Sequence, residues 1–544
     1  MADNPQVTTQ ITSSGLFARN ATGLVRGVSQ RSGLVINFIT AHPTQALAAG
    51  FFFVFALFPG GNYLIGLVLT VPLVLAMAYS FGLLTSMIPR SGGDYMLVSR
   101  VIHPAAGLIS SFCMTLAAML SLAYFGVAFV TIGIGPALTG LGLIEHSHTL
   151  ISWGTTIQAD SAWKFAAGTA MLLVAALFLA GGWHLTLRIQ NTVFWIVTLG
   201  LVAAIVPAIF TSRASFAKNF NRFLAPYTHQ ANSYNSVLAK ATRAGVNVHP
   251  AFSWGHSIPI IGFFATFAIY TWWSTFIGGE LREASSVKTA RNMALAGVIS
   301  LACVGICAAI LFRTFGTAFM TAANGGGMPA QVTTAPTYFF LMAGSVGNSV
   351  YAVILFVCYI LYWPLVCYIS FLQPTRMLFA YAFDGILPKA VTNVTRKGAP
   401  WVALLISWIL AVLTLLWGIN AGSFFQLITY ATLIQLIAMG LVCLSGVLVP
   451  WLRPQIYRGS STQKRFLGIP VVSIAGAGGI ATAVFVWILY FHYASDFGFT
   501  DSAKFFGVTG GTIVLSVIYY LGAKLIRARQ GVNINLAYAE IPPE

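Results

Sequence analysis

The stretch INFITAHPTQ, residues 36–45, places Pro43 in the middle of an apolar segment that is long enough to cross a membrane. Proline removes a backbone hydrogen-bond donor and disfavours helical geometry at the preceding residue, His42. Backbone groups that are freed inside a bilayer must face other protein or a water-filled cavity. The stretch therefore predicts either a broken helix beside a binding cavity or a proline kink whose carbonyls bond to the hydroxyls of Thr40 and Thr44.

A second unusual stretch, YTWWST at residues 270–275, lies in the middle of a later apolar segment. Tryptophan is enriched at membrane interfaces rather than at mid-depth. The central pair Trp272 and Trp273, with hydroxyls beside it, suits a solute pocket, and helix packing with the hydroxyls bonded to carbonyls is the alternative. The two stretches fall in the first and sixth apolar segments. Interrupted helices at corresponding places of two repeats are typical of a transporter site.

The composition places the whole chain in a membrane. Of its 544 residues, 58% are hydrophobic and only 7% are charged, whereas soluble proteins carry about 25% charged residues. About 20 apolar residues cross a bilayer as a helix. We therefore expect an all-α polytopic membrane protein with twelve spans, at about residues 33–58, 62–87, 105–139, 163–181, 186–211, 257–279, 293–320, 347–382, 401–419, 422–450, 470–493 and 503–526.

The basic residues indicate the orientation of these spans. The chain has 28 Lys and Arg against 11 Asp and Glu, and the basic residues lie between apolar runs, which favours topology control and contact with membrane lipid over nucleic-acid binding. An inside N-terminus gives 20 Lys and Arg on inner segments and 7 on outer ones. The polar first thirty residues lack the apolar core of a signal peptide. We expect a plasma-membrane protein with both termini in the cytoplasm.

Carboxylates are absent from the middle of every predicted span, since all 11 acidic residues lie at span ends or in loops. Ionisable residues inside a membrane usually mark proton relays and ion paths. This distribution argues against an enzyme, a metal site and a pump with a buried carboxylate. It also argues against lysine or a polyamine as substrate, because the extra cation would need a buried anion. The six cysteines have no metal-type spacing, so we expect no metal and no cofactor.

Several short motifs follow one another in order on the predicted inner side. They are PRSGGDY at 89–95, GWHL at 182–185, GE at 279–280, RMLFA at 376–380 and DGILP at 384–388. Over about residues 25–450 this series resembles the amino acid–polyamine–organocation (APC) family of transporters. The resemblance implies a LeuT-like fold with two inverted five-helix repeats, two further helices and broken first and sixth helices.

The implied organisation divides the chain into six parts. They are a cytoplasmic tail (1–30), a first repeat (31–211), an extracellular loop (212–256), a second repeat (257–450), helices eleven and twelve (451–526) and a cytoplasmic tail (527–544).

The same resemblance implies a central substrate site held by backbone at the two breaks. The residues it assigns to that site are Thr40, Ala41, His42 and Thr44 on the first span, Met114 or Thr115 on the third, Phe267, Tyr270, Thr271, Trp272 and Trp273 on the sixth, and Ser370 on the eighth. An aromatic lid would be Phe267 or Trp272. His42 is a candidate coupling group, and a structural histidine bonded to freed backbone groups is the alternative.

Charged loop residues next to the motifs are expected to form a cytoplasmic gate. Pairing of the acidic with the basic members is the hypothesis, and solvated loop charges are the alternative; the residues are Arg90, Asp94, Arg100, Glu280, Arg376 and Asp384.

The expected function is that of an amino acid permease, a symporter or exchanger for neutral amino acids, driven by protons or sodium. Another small solute (a carboxylate, an amine or an inorganic cation) is the alternative, as is a channel or a solute receptor on the same fold. The expected partners are the solute and membrane lipid, and the expected state is a monomer or homodimer.

Overall fold

The structure is a computed structural model that describes residues 26–329, 332, 336–420, 424–499, 501–531, 533–534 and 538. Within these residues, twelve helical segments are long and apolar enough to cross a membrane. We number these spans one to twelve along the chain and label the individual helices α1 to α21.

The first five spans contain two interrupted members. The first span is broken between Thr40 and Pro43, and the third contains a π-helical turn (Phe129–Ile134). The elements of this half are α1 (Gln30–Thr40), α2 (Pro43–Leu57), α3 (Tyr63–Met87), α4 (Gly93–Val101), α5 (Pro104–Ala128), α6 (Gly135–Ile144), α7 (His148–Ala159), α8 (Ser161–Ala180) and α9 (Gly182–Phe210).

The loop between the fifth and sixth spans folds into two helices, α10 (Arg213–Thr228) and α11 (Ser233–Arg243). One side of α10 buries Phe216, Phe220 and Phe223 against the protein. Aromatic residues spaced three and four apart make one face of a helix apolar. That spacing explains why this polar loop is helical.

The second half of the chain contains the remaining spans. Its elements are α12 (Trp254–Ala268), α13 (Lys288–Phe315), α14 (Thr317–Ala322), α15 (Tyr338–Val346), α16 (Ser349–Phe383), α17 (Trp401–Ile419), α18 (Phe424–Leu452), α19 (Pro454–Arg458), the two-residue strands β1 (Arg465–Phe466) and β2 (Ile469–Pro470), which pair in antiparallel fashion, α20 (Val471–His492) and α21 (Ser502–Arg529).

Burial separates central spans from peripheral ones. In the most apolar part of each span, 94% of the sixth and 82% of the first is buried, against 22% of the twelfth. Large apolar side chains such as Trp195 and Leu413 are exposed on outer spans, which is expected where lipid replaces water as the solvent. The two spans with central breaks therefore lie inside the helix bundle. α5 packs along α18, and α3 packs along α13 around them.

Candidate functional site

The first span is broken between its two half-helices. α1 ends at Thr40 and α2 begins at Pro43. His42 caps α2, because its Nδ1 atom accepts a hydrogen bond from the backbone N–H of Thr44 at 3.2 Å. Its Nε2 atom lies 3.4 Å from the hydroxyl oxygen of Thr198 in α9. Since Nδ1 is an acceptor, this arrangement requires a neutral imidazole whose ring proton lies on Nε2.

The sixth span is broken as well. After α12 the chain turns through an irregular segment into a short 3₁₀ helix, Trp273–Phe276. The hydroxyl of Thr40 donates to the backbone carbonyl of Tyr270 at 3.0 Å, and the side-chain oxygen of Asn37 accepts from the N–H of Ser274 at 2.8 Å. Side chains of the first span thus satisfy backbone groups that the break in the sixth span leaves without helical partners.

A cavity adjoins both breaks. Its free volume is about 50 Å³, smaller than the range of about 300–1,000 Å³ typical of small-molecule sites, so a bound solute requires the walls to move apart. Its walls come from the first, third, sixth, eighth and tenth spans. Among the residues that the structure describes, none with a formal charge lines it; the lining residues are Thr40, Gln45, Ala118, Ser121, Phe125, Thr266, Phe267, Tyr270, Trp273, Val366, Ser370, Ile428 and Gln435.

The polar groups of the cavity differ in whether the protein already satisfies them. The indole N–H of Trp273 donates to the carbonyl of Ile369 at 2.8 Å. The Oε1 atom of Gln45 accepts from the hydroxyl of Tyr362 at 2.7 Å, and one N–H of its buried amide is directed at the hydroxyl of Tyr124, so only the second N–H is without a partner among the described residues. A buried unpaired donor is costly, on the order of 1–3 kcal/mol. The free N–H group of Gln45 is therefore a candidate contact for a bound solute.

The structure brings only some of the sequence-predicted residues to this cavity. Those that line it are Thr40, Phe267, Tyr270, Trp273 and Ser370. Those that lie outside its lining are Ala41, His42, Thr44, Met114, Thr115, Thr271 and Trp272.

The direction of each side chain explains why neighbouring residues differ. Trp272 is fully buried and stacks on Phe81 of α3, with 3.8 Å between the ring centroids, whereas the next residue, Trp273, faces the cavity. On the third span, Thr115 accepts a hydrogen bond of 3.1 Å from the amide of Gln373. Successive side chains on a helix point about 100° apart. A prediction that is wrong by one position therefore selects a side chain that faces away from the cavity.

Sequence reasoning missed eight of the lining residues. One of them, Gln435, offered a usable signal, because an amide side chain in the middle of the apolar tenth span needs a polar partner or a wet cavity. The apolar and small residues carried no such signal. The missed residues are Gln45, Ala118, Ser121, Phe125, Thr266, Val366, Ile428 and Gln435.

A buried cluster of ion pairs lies among the loop motifs. Arg100 of α4 donates to both carboxylate oxygens of Asp384 at 2.9 and 2.8 Å. Arg376 of α16 donates to both oxygens of Glu280 at 2.9 and 3.1 Å. The hydroxyl of Tyr95 adds a hydrogen bond of 2.7 Å to Asp384. We call these five residues the gate cluster.

Further aromatic groups seal the gate cluster. The indole N–H of Trp183, at the start of α9, donates to Glu280, and the guanidinium of Arg376 lies 5.3 Å from the Trp183 ring. The hydroxyl of Tyr538 lies 3.0 Å from the hydroxyl of Tyr95. Removing one partner of a buried ion pair costs about 3–5 kcal/mol. The cluster therefore holds the loops after the second, sixth and eighth spans firmly together.

Two of the expected gate residues are not in the cluster. The sequence predicted that Asp94 pairs with an arginine, but it pairs with none of the described arginines; its Oδ2 atom accepts a hydrogen bond of 2.6 Å from the hydroxyl of Ser110. The reason is geometric: Arg100 lies six residues later on the same helix and points about 120° away, toward Asp384. Arg90 donates to the backbone carbonyl of Pro89 at 3.0 Å.

Comparison with known proteins identifies the family. The family model described as "Amino acid permease" matches residues 29–521. Among solved structures, the crystal structure of MhsT in complex with L-phenylalanine is similar, with a TM-score of 0.53 and 14% sequence identity over 85% of this chain and 98% of that one. At this identity the likeness shows the fold alone, which is LeuT-like. No curated protein sequence matches.

The family match and the fold are those of a secondary transporter rather than an enzyme. They confirm the expectation drawn from the loop motifs and from the two broken spans. The chain belongs to the amino acid permease family of the APC superfamily.

Proposed function

We propose that this secondary transporter moves neutral or weakly polar amino acids across the plasma membrane by alternating access. The observation that carries the proposal is the uncharged cavity beside the two broken spans. The family and the fold support transport but leave the solute open, so the solute is argued from the chemistry of the cavity.

The breaks supply groups suited to the two charged ends of an amino acid. The start of α2 is the positive end of a helix dipole, and the end of α12 is the negative end of another. Thr40 and Gln45 flank the first of these ends, while Phe267 and Tyr270 flank the second, and all four line the cavity. A carboxylate near α2 and an ammonium near α12 would each meet a favourable dipole.

The rest of the cavity suits an uncharged side chain. Phe125, Val366 and Ile428 offer apolar surface, while Ser121 and Gln435 offer uncharged polar groups. A charged side chain would leave water without a counter-ion, which costs several kcal/mol. Neutral and weakly polar amino acids therefore fit the cavity better than lysine or glutamate.

His42 fits a structural role better than that of a coupling group. Its Nδ1 atom accepts from Thr44 and its Nε2 atom faces the hydroxyl of Thr198. Adding a proton to Nδ1 would break the cap on α2, because a protonated nitrogen cannot accept a hydrogen bond. We propose that His42 holds the break in shape.

The gate cluster closes one end of the transport path, and we propose that this end faces the cytoplasm. The excess of Lys and Arg on the segments at this end, 20 against 7, supports that orientation. Access from this side would require the buried pair of Arg100 and Asp384 to separate. Opening would thus exchange two strong ion pairs for hydration and for contacts at the opposite end.

A thermal-shift screen of the purified protein tests the proposed substrate class. A ligand that binds the native state raises the melting temperature in proportion to RT ln(1 + [L]/Kd). We expect neutral amino acids to raise it, and lysine and glutamate to leave it unchanged. Trp273→Ala should abolish the effect, whereas Trp195→Ala, at a position that is 61% exposed, serves as the matched control. Stabilisation only by a simple carboxylate, an amine or an inorganic cation would contradict the proposal.

A further inference from the structure

The buried carboxyl group of Asp94 has no cationic partner in the part of the chain that the structure describes. It lies in the first turn of α4 and is fully buried. Its Oδ2 atom accepts from the hydroxyl of Ser110, and the backbone N–H groups of Asp94 and Tyr95 also lie against the carboxyl group. By contrast, the carboxylate of Asp384 pairs with Arg100, and the carboxylate of Glu280 pairs with Arg376. An isolated buried carboxylate is expensive, and such a group commonly becomes neutral by binding a proton.

The surroundings of Asp94 do not strongly favour either the protonated or the ionised form of its carboxyl group. Burial raises the pKa of its carboxyl to about 7, against the opposing effects of the hydrogen bond from Ser110 and of the backbone N–H groups of Asp94 and Tyr95. The titratable groups that face it are Cys113 of α5 and Tyr381 of α16. α18 presents the backbone carbonyl of Ala438. Among the described residues, α3 and the 3₁₀ turn of the sixth span add no charged group that shifts this carboxyl.

The hydrogen-bond partner of the Ser110 hydroxyl depends on whether Asp94 is protonated. Its oxygen lies 2.6 Å from the Oδ2 atom of Asp94 and 3.4 Å from the carbonyl oxygen of Ala438 in α18. When Asp94 is ionised, the hydroxyl of Ser110 donates to it. When Asp94 is protonated, its own hydroxyl can donate to Ser110, and Ser110 is then free to donate to Ala438. One proton therefore decides whether Ser110 bonds to α4 or links α5 to α18.

Both helices joined by this bond also line the cavity. α5 contributes Ala118 and Ser121, two to three turns beyond Ser110, and α18 contributes Gln435, one turn before Ala438. The gate cluster begins on the same short helix as Asp94, since Tyr95 and Arg100 lie on α4. Asp94 thus contacts the elements that separate the cavity from the closed end.

We propose that Asp94 is a proton-binding site that controls this end of the transporter, closed when the carboxyl is protonated and open when it is ionised. The ionised form places an unpaired charge inside the closed bundle, and entry of water relieves that cost. This inference deepens the proposed transport function and rests on it. Its test reads the opening of the gate directly and needs no substrate.

Alkylation of Cys113 by a small water-soluble maleimide, quantified at this residue by mass spectrometry, measures the opening. Cys113 is buried, lies three residues after Ser110 on α5 and faces Asp94. Thiol reactivity itself rises with pH, so the quantity to report is the ratio of rates in the wild type and in Asp94→Asn. An ionised Asp94 would repel the thiolate, so a rising ratio cannot come from that electrostatic effect.

We expect the ratio to rise by at least about tenfold between pH 5 and pH 8, because the ionised fraction of a group with a pKa of about 7 rises from about 1% to about 90% over that interval. Ser110→Ala should move the midpoint to higher pH, since it removes a hydrogen bond that stabilises the ionised form. A ratio that stays constant over this interval would overturn the proposal. If Asp94→Asn fails to fold, the rates in the wild type and in Ser110→Ala are compared directly at each pH, and equal rates near pH 7 overturn the proposal instead. Absence of amino acid transport would contradict the proposed function separately.

Discussion

The side-chain oxygen of Asn37 accepts a hydrogen bond of 2.8 Å from the backbone N–H of Ser274. Both residues are buried, and the bond joins the two spans whose breaks adjoin the cavity. Asn37 lies one turn before the end of α1, and Ser274 lies in the 3₁₀ turn of the sixth span. The geometry of the cavity therefore depends on a side chain that does not line it.

Replacing Asn37 with alanine should destabilise the protein. The change leaves the buried N–H of Ser274 without a partner, which costs about 1–3 kcal/mol. A lowered melting temperature of the purified variant checks this expectation. Asn420→Ala, at an exposed helix end, is the control for loss of an asparagine. Equal melting temperatures in the two variants would contradict the role assigned to Asn37.

Alanine substitutions of the two adjacent tryptophans should have different effects, one on substrate binding and the other on stability. Trp273→Ala removes cavity wall and is expected to weaken substrate binding. Trp272→Ala removes a fully buried ring stacked on Phe81 and should destabilise the fold by about 3–5 kcal/mol. Ligand binding and thermal unfolding of both variants measure the difference. If binding were lost only in Trp272→Ala, the binding site would lie on the Trp272 side of the segment, which would contradict the site described above.

A substitution in the gate cluster should lower the stability of the protein more than a substitution in a surface ion pair. Asp384→Asn leaves the buried charge of Arg100 without its counter-ion and should cost about 3–5 kcal/mol. The matched control is Glu283→Gln, because Glu283 pairs with Lys288 at 3.1 Å where both side chains are more than half exposed. Exposed pairs contribute about 0–1 kcal/mol. Similar losses in the two variants would show that the buried pair is not a structural lock.

The stability of the closed form should fall as pH rises from about 4 to about 7. Asp94 has an ordinary pKa of 3.8 when unfolded and a pKa of about 7 in the folded protein. Between these values the folded state binds more protons than the unfolded state, so the free energy of unfolding decreases with pH. The total effect is at most about 4 kcal/mol. Melting temperatures of the wild type and Asp94→Asn over this range test the sign, since the variant should lack this component.

Much of the fold could be predicted from the sequence because membranes impose simple rules. The length of each apolar run, the proline in residues 36–45 and the central tryptophans of residues 270–275 were sufficient for the spans and for the breaks in the first and sixth, but not for the π-helical turn in the third. The motif arginines and carboxylates also meet, as the pairs of Arg100 with Asp384 and Arg376 with Glu280 show.

The lining of the cavity could not be predicted to the same degree. Which side of a buried helix faces the centre depends on how all the spans pack, and large apolar residues occur on every side of the sixth span. Trp272 and Trp273 are equivalent in sequence terms, yet they face α3 and the cavity respectively. Asp94 likewise lacks an arginine partner because Arg100 pairs with Asp384. Only the tertiary structure shows this pairing.

Uptake of radiolabelled amino acids into proteoliposomes tests the central claim most directly. The protein should exchange neutral amino acids across the membrane and accumulate them when a proton or sodium gradient is imposed, and whichever gradient drives accumulation identifies the coupling ion. Lysine and glutamate should not compete, and Trp273→Ala should be inactive while Trp195→Ala retains activity. Failure to move any amino acid under exchange, proton-gradient or sodium-gradient conditions would contradict the account.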